Sequence, residues 1–324
     1  MCAKLHAGRR LDTRRARCLC ARGEVGRIST RRAHVLLRIG MIVVSDNDAL
    51  RDYLDPVRGQ SRVALVPTMG NLHDGHLSLV RQAKEEADLV VVSIFVNPMQ
   101  FGKGEDLATY PRTIDADILA LKKEGVDVVF TPGIADIYPQ GDQAHTAIHV
   151  PLLSEPLCGA KRPGHFDGVC TVVYKLFRLV QPDIAVFGEK DLQQLLIIQK
   201  MVTDLSLNID IQQGLTSRAS DGLALSSRNQ YLTAVERQIA PRLWETLQDC
   251  SQTLQGTATV SFKNTLSQAS DDLASAGFEV DYLELRSLQT LQTATDLSRD
   301  CALFVAATLG KTRLIDNIQI SAAR

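Results

Sequence analysis

The chain has 324 residues, of which 45% are hydrophobic and 23% charged, a composition typical of a globular protein with roughly two domains. It contains no run of about 18 apolar residues, so we predict no membrane span. Residues 1–40 carry 11 of the 36 Lys and Arg, which leaves 25 basic and 35 acidic residues from Met41 onward. This acidic body argues against a nucleic-acid partner, because a polyanion normally binds to a basic face.

Residues 1–40 form a basic leader that we exclude from the fold. The leader is Arg-rich like a transit peptide, but it shows little amphipathic periodicity and no secretory apolar region. Since ordinary patterning begins at Met41, a start codon assigned too far upstream is our preferred interpretation, and a disordered leader is the alternative. The four cysteines beyond the leader lack metal or disulfide spacing, which predicts reduced thiols in a cytoplasmic protein.

Strands and helices alternate from Arg62 to about residue 216. Short apolar runs predict strands at 63–67, 89–96, 126–130 and 183–187. Amphipathic stretches predict helices at 76–87, 114–123, 169–180 and 192–205. This alternation predicts an α/β fold with a Rossmann-like parallel sheet, and a ligand at the carboxyl ends of its strands.

The pattern changes after residue 216. Helical stretches at about 234–254 and 261–276 precede strand-like segments at 278–285 and 301–309. We therefore predict a sheet domain at 41–216 and a smaller α+β C-terminal domain at 217–324, which closes over the first.

The sharpest motif is PTMGNLHDGH, residues 67–76, between a predicted strand and a predicted helix. Gly70 and Gly75 allow tight turning and close backbone approach, while His73 and His76 can share one face of the first helical turn. A helix N-terminus suits a triphosphate, and two imidazoles there could donate hydrogen bonds to phosphate oxygens. A zinc pair, which would need further ligands, and two structural histidines remain the alternatives.

This motif resembles the His-x-Gly-His signature of the nucleotidylyltransferase superfamily, and its longer form is similar to the pantothenate synthetase family. Four later blocks agree in order and spacing: FVNPMQFG (95–102), RPGHFDGV (162–169), FGEKDLQQ (187–194) and DGLALSSRNQYL (221–232). The resemblance runs from about residue 41 to the end of the chain. It implies a homodimeric ligase that uses ATP and Mg²⁺ to join pantoate to β-alanine through pantoyl adenylate, giving pantothenate, AMP and pyrophosphate.

The same resemblance assigns the site residues. The catalytic residues that it implies are His73, His76, Lys190 and Arg228. We expect a near-neutral pKa to let His76 protonate developing charge on the phosphate. Pantoate and β-alanine binding falls to Gln100, Gln194 and Asn97. ATP binding falls to Met69, Gly70, His73, Gly75, His76, Gly188, Glu189, Lys190, Asp191, Ser217, Leu225, Ser226, Ser227 and Arg228.

Three of these blocks also have a direct chemical interpretation. Pro98 ends a buried strand, so Asn97 and Gln100 should project at the ligand edge, where an amide can bind both a carboxylate and a hydroxyl. Asp191 can cap the following helix while reaching a ribose hydroxyl or a hydrated Mg²⁺. In RPGHFDGV, Arg162 and His165 either help to close the site or only form the turn before a helix.

Three positions depart from the family pattern. Leu225 and Ser217 stand where Met and Val are common, and we expect both to contact ATP largely through their backbone. Ala219 stands where an acid commonly follows Arg218, so a possible charge partner of Arg218 is missing.

Three other functions share parts of the pattern. A different nucleotidylyltransferase would keep the histidines without needing the two amides of FVNPMQFG. An aminoacyl-tRNA synthetase would need a tRNA-reading module, for which residues 217–324 leave little room. A non-catalytic nucleotide sensor would be expected to lose the substrate-binding groups, whereas this sequence retains both sets.

Overall fold

The computed structural model describes residues 40–141, 144–256 and 261–322. These residues belong to one compact unit that begins at Gly40. The basic leader therefore lies outside the described residues, apart from Gly40, and its interpretation stays a prediction. Within the described ranges, no helix is long and apolar enough to cross a membrane.

Six parallel strands form the larger sheet, in the order β1-β4-β3-β2-β5-β6. They are β1 (Ile42–Val44), β2 (Val63–Thr68), β3 (Leu89–Ile94), β4 (Val128–Phe130), β5 (Ile184–Gly188) and β6 (Asp210–Gly214). Strand β2 pairs with β3 on one side and β5 on the other, so the strand order reverses there. Ligands bind at the carboxyl ends of the strands at such a switch point. The predicted α/β, Rossmann-like fold is confirmed.

Helices connect these strands. They are α1 (Asn47–Leu54), α2 (Asp74–Glu86), α3 (Ile114–Glu124), α4 (Ile134–Ile137), α5 (Cys158–Lys161), α6 (His165–Val180) and α7 (Leu192–Asp204). The first five residues of β3 are all buried, as the predicted burial of both faces requires. Helix α6 packs against the short 3-10 helix Pro98–Gln100, since a Cβ added at Gly168 would lie 2.2 Å from the carbonyl oxygen of Met99.

A smaller antiparallel sheet follows, in the order β7-β8-β9. Its strands are β7 (Phe278–Ser287), β8 (Cys301–Leu309) and β9 (Thr312–Ile320), and helices α8 (Ala234–Ile239), α9 (Arg242–Gly256) and α10 (Phe262–Ser275) precede them. Leu247 on α9 packs in one apolar cluster with Leu285 and Leu303 of the sheet. The smaller α+β part of the fold is thus as predicted, whereas the domain boundary at residue 216 stays a prediction.

Two features of the fold differ from the sequence-based expectation. The helix predicted at about 234–254 is broken between Ile239 and Arg242, because Pro241 has no N–H to continue the helical ladder. Strands β1, β6 and β9 were not predicted. Strand β6 lies at the sheet edge and is largely polar, with the sequence DIQQG, so it lacks the apolar run by which the other strands were predicted.

Candidate active site

Loops at the carboxyl ends of β2, β3, β5 and β6 surround one cavity of about 240 Å³. Every predicted site residue except Gly70 and Glu189 lines it. These are Met69, His73, Gly75, His76, Asn97, Gln100, Gly188, Lys190, Asp191, Gln194, Ser217, Leu225, Ser226, Ser227 and Arg228. Residues distant in sequence therefore meet at the switch point of the sheet.

The two histidines hold the N-terminus of α2 in a capping box. His73 is the N-cap residue, and its Nδ1 accepts a hydrogen bond from the backbone N–H of Gly75 at 3.1 Å. The backbone N–H of His73 in turn donates to Nδ1 of His76 at 3.3 Å. Because each Nδ1 is an acceptor, both neutral rings carry their proton on Nε2. The pair therefore offers two Nε2–H donors for a ligand.

Burial keeps both rings neutral. It lowers the pKa of His73 to about 4, with a further contribution from the Lys190 ammonium. The pKa of His76 falls to about 3, through burial first and then through His73 and Lys190. The expected near-neutral pKa of His76 is therefore wrong. At neutral pH His76 has no extra proton to give, and it acts as a hydrogen-bond donor.

Gly70 shapes the turn before α2 instead of lining the cavity. Its φ is +82°, and a Cβ there would lie 3.0 Å from Asp117 Oδ2. Asp117 is a buried residue of α3, and its carboxylate accepts hydrogen bonds from the backbone N–H groups of Asn71 at 2.9 Å and Leu72 at 2.8 Å. Asp117 was not predicted, because its contribution depends on a contact between elements far apart in sequence.

The amide of Asn97, which lines the cavity, is saturated with hydrogen bonds. Asn97 is 1% exposed, and its Nδ2 donates to Gln100 Oε1 at 3.2 Å and to the Gly168 carbonyl at 3.1 Å. Its Oδ1 accepts from the Tyr138 hydroxyl at 2.8 Å and from the Met99 N–H at 3.3 Å. All four hydrogen-bonding positions of Asn97 are thus used within the protein, and they orient Gln100.

The side-chain nitrogen of Gln100 has only a weak acceptor, whereas the backbone carbonyl of Gln100 accepts two hydrogen bonds. Its Nε2 lies 3.2 Å from Met69 Sδ, and a thioether is a poor acceptor. Its carbonyl accepts from His165 Nδ1 at 2.7 Å and from Arg162 Nη2 at 3.2 Å. Arg162 also pairs with Glu105 at 2.6 Å. Arg162 and His165 both line the cavity, and both fix the loop that carries Gln100. Whether they help to close the site stays a prediction.

Two further cations, Lys190 and Arg228, line the same cavity. The Nζ of Lys190 lies 3.9 Å from Asp191 Oδ2. Arg228 donates from Nε and Nη2 to Asp106 at 3.0 and 2.9 Å, and Ser226 Oγ caps its backbone N–H. Asp191 occupies the N-cap position of α7 without a side-chain cap bond. The prediction that Asp191 caps this helix is therefore wrong, and its carboxylate stays available to a ligand.

Known proteins show the family to which this chain belongs. The sequence profile of the pantoate-beta-alanine ligase family matches residues 42–319. The chain belongs to this family. The ligase is 53% identical to pantothenate synthetase of Chromohalobacter salexigens and 52% identical to that of Aeromonas hydrophila, each over 285 residues that span 88% of this chain and 100% of the relative. The expected family and enzyme class are confirmed.

Solved structures share the fold of the ligase. Pantothenate synthetase from Thermus thermophilus superimposes with a TM-score of 0.80 at 43% identity, covering 86% of this chain and 99% of that one. Pantoate-beta-alanine ligase from Francisella tularensis, crystallised with beta-gamma ATP and beta-alanine, gives a TM-score of 0.74 at 37% identity and covers 86% and 97%.

The departures from the family pattern have clear positions in the ligase. Ser217 Oγ lies 3.1 Å from Ser78 Oγ on α2. The guanidinium of Arg218 pairs with Asp316 at 2.6 Å and stacks 3.4 Å from the ring centroid of Trp244. An acid at position 219 is therefore not needed, because strand β9 supplies the partner of Arg218.

A cation would have to be held mainly by the nucleotide. Within the described ranges, no group of three or more His, Cys, Asp or Glu could hold a metal ion. Asp191 lines the cavity and offers the carboxylate oxygens that Mg²⁺ prefers. Magnesium usually keeps several waters and binds through one or two carboxylates plus substrate phosphates, so this residue fits it.

Proposed function

We propose that the ligase forms pantothenate in this cavity by two successive substitutions. The carboxylate of pantoate attacks the α-phosphorus of ATP, and pyrophosphate leaves with the electron pair of the broken P–O bond. The free amine of β-alanine then attacks the acyl carbon of the pantoyl adenylate, losing a proton as AMP departs. The observation that carries this proposal is the convergence of imidazole, ammonium, guanidinium and amide groups on one cavity.

The first step requires alignment and stabilisation of charge. A carboxylate is a poor electrophile, and adenylation gives it a good leaving group. Phosphoryl transfer is accelerated chiefly by positioning and by fixed charges around the phosphate oxygens. His73 and His76 donate their Nε2–H groups to these oxygens, while Lys190 and Arg228 balance the charge that pyrophosphate carries away.

The adenosine and triphosphate contacts extend over three loops. Met69 contributes from the turn before α2 and Gly75 from the first turn of α2, while Gly188 contributes from the end of β5 and Asp191 from the turn after it. Leu225, Ser226, Ser227 and Ser217 contribute from the segment that follows β6. Asp191 is the residue that would hold Mg²⁺, and the ion would supply positive charge to the phosphate oxygens. Gly70 and Glu189 act from outside the cavity by shaping these loops.

The acid substrate lies at the amide end. Gln100 and Gln194 hydrogen-bond the carboxylate and hydroxyls of pantoate, since an amide both donates and accepts. Asn97 serves by fixing Gln100, because its own amide is saturated. This arrangement places the acid beside the phosphates and gives Gln100 the larger share of recognition.

Further proposals concern the protein as a whole. The segment 217–324 closes over the sheet domain and excludes water from the adenylate, which hydrolyses readily.

The ligase is a homodimer, as the family resemblance implies, and it works in the cytoplasm. The four described cysteines beyond the leader are free and buried, which supports a reducing compartment.

The test is formation of AMP with each substrate omitted in turn. With ATP and pantoate but no β-alanine, we expect one turnover at most, and sustained AMP formation with all three substrates. Sustained AMP formation without pantoate would contradict the proposal. The control is a variant with Asn264 replaced by Ala. Its side chain is exposed on α10 and does not line the cavity, so its activity should be unchanged.

A further inference from the structure

The turn that carries Lys190 is held from the C-terminal sheet. Residues Glu189–Asp191 form a single 3-10 turn between β5 and α7, and neither end of it has a side-chain cap. The carbonyl groups of Glu189 and Lys190 instead accept hydrogen bonds from Nδ2 of Asn317, at 2.9 and 3.1 Å. One amide of strand β9 therefore satisfies two successive carbonyls of the turn.

Asn317 is itself firmly placed. It is 4% exposed, and its backbone N–H donates to Asp316 Oδ1 at 2.9 Å. Asp316 also forms the ion pair with Arg218. Burial and these bonds leave the Asn317 side chain little freedom, so the position of β9 determines the position of the turn.

A second bond from the same strand reaches Glu189. Gln319 lies on the same face of β9 as Asn317, two residues along, and its Nε2 donates to Glu189 Oε1 at 2.8 Å. The other carboxylate oxygen of Glu189 accepts from the backbone N–H of Thr216 at 3.2 Å. Glu189 thereby joins β9 to two of the three loops that the proposed ATP site uses.

The position of this turn limits where the Lys190 side chain can act. A lysine has a flexible stem of four carbons, so the point from which it starts limits where its ammonium can act. That ammonium lines the same cavity as His73 and His76, and it contributes to the lowered pKa of both rings. A shift of the turn would move the ammonium relative to the imidazoles and to the phosphates.

We propose that Asn317 and Gln319 are positioning residues for adenylation, which fix the backbone at Glu189 and Lys190 so that the Lys190 ammonium meets the phosphates of ATP. This inference rests on the function proposed above. It differs from a merely structural role, in which the same bonds would only hold the smaller sheet against the larger one.

A double-mutant cycle separates the two roles. The variants are Asn317→Ala, Lys190→Ala and both together, with exposed Asn264→Ala as a matched amide control. Pantoate-dependent exchange between ATP and pyrophosphate is measured, because it reports the first step alone. We expect Asn317→Ala to slow exchange on the order of tenfold through loss of two hydrogen bonds. In the Lys190→Ala background the same change should slow exchange by less than about twofold, since the residue it positions is gone.

The outcomes distinguish this inference from the proposed function. If Asn317→Ala slows exchange by the same factor with and without Lys190, the residue acts independently of Lys190 and the inference is overturned. If Lys190→Ala itself leaves exchange unchanged, the role proposed for Lys190 fails and the positioning role fails with it. If Asn317→Ala does not fold, Gln319→Ala replaces it: a KM raised for ATP but not for pantoate supports positioning, and equal rises for both overturn it.

Discussion

The backbone N–H of His73 donates to Nδ1 of His76 at 3.3 Å, and this bond determines which nitrogen of His76 carries its proton. A capping box usually employs a hydroxyl and a carboxylate or amide. Here imidazoles fill both positions. The local structure of the helix start and the chemistry of the site therefore depend on the same two side chains.

Replacing His76 by Gln and by Asn should separate the two ring nitrogens. A Gln amide can place a donor near the position of Nε2, whereas Asn reaches only as far as Nδ1. We expect His76→Asn to slow pantoate-dependent ATP–pyrophosphate exchange by about 10²- to 10³-fold, the usual cost of one lost donor to a developing charge. His76→Gln should retain at least about ten times more activity than His76→Asn. Equal losses in both variants would contradict the assigned tautomer.

The first step should be insensitive to pH through the usual range of histidine. Because the pKa values of His73 and His76 lie at about 4 and about 3, both rings stay neutral from pH 8 to pH 5. Exchange between ATP and pyrophosphate should therefore show no break near pH 6.5, the ordinary pKa of histidine. A rate that falls as pH rises through 6.5 would indicate a protonated catalytic histidine instead.

The lowered pKa values of His73 and His76 also predict how the stability of the folded protein changes with pH. The unfolded chain binds protons at these histidines below about pH 6.5, whereas the folded protein binds them only near pH 4 and pH 3. Stability should consequently fall as pH decreases through this window. In His73→Ala the fall should be shallower, as measured by urea unfolding at several pH values. An unchanged slope would contradict the low pKa of His73.

Replacing the adjacent acids Glu105 and Asp106 should change the KM values of two different substrates. Asp106 pairs with Arg228, for which we propose contact with the phosphates, and Glu105 pairs with Arg162, which holds the carbonyl of Gln100. We expect Asp106→Ala to raise the KM for ATP and Glu105→Ala to raise the KM for pantoate, each by roughly three- to tenfold. Steady-state kinetics with each substrate varied in turn gives both values. If both variants raised the same KM, the division of the cavity into two ends would be wrong.

Gly168 should tolerate no side chain. A Cβ there would lie 2.2 Å from the Met99 carbonyl, so Gly168→Ala must push α6 away from the segment Pro98–Gln100. We expect the free energy of unfolding to fall by about 1–3 kcal/mol, together with a raised KM for pantoate. Gly256→Ala is the matched control, since a Cβ there meets nothing within 4 Å. Urea unfolding of both variants tests this difference, and equal stabilities would contradict the close packing.

The sequence alone was informative where the signal is local. The strand, turn and helix around PTMGNLHDGH were predictable, because an apolar run, a glycine turn and an amphipathic stretch follow one another within about 25 residues. The shared cavity followed from the rule that loops at the carboxyl ends of parallel strands meet. Pro241 in the sequence also indicates a helix break, but a single helix was predicted at about 234–254.

Long-range contacts account for the rest. The family resemblance assigned Glu189 to ATP binding, whereas in the structure its carboxylate accepts hydrogen bonds from Gln319 and Thr216. Nothing near Asn97 in the sequence shows that Tyr138 and Gly168 complete its hydrogen bonds. The pKa of His76 likewise depends on burial by several elements. Each of these features requires the packed structure.

The most direct test follows the carboxylate oxygens of pantoate. If the carboxylate attacks the α-phosphorus of ATP, pantoate labelled with ¹⁸O in both carboxylate oxygens must transfer one of them to AMP and keep the other in the amide of pantothenate. Mass spectrometry of the two products measures this transfer. The account predicts one ¹⁸O in each AMP formed, whereas unlabelled AMP, or label in orthophosphate, would contradict it.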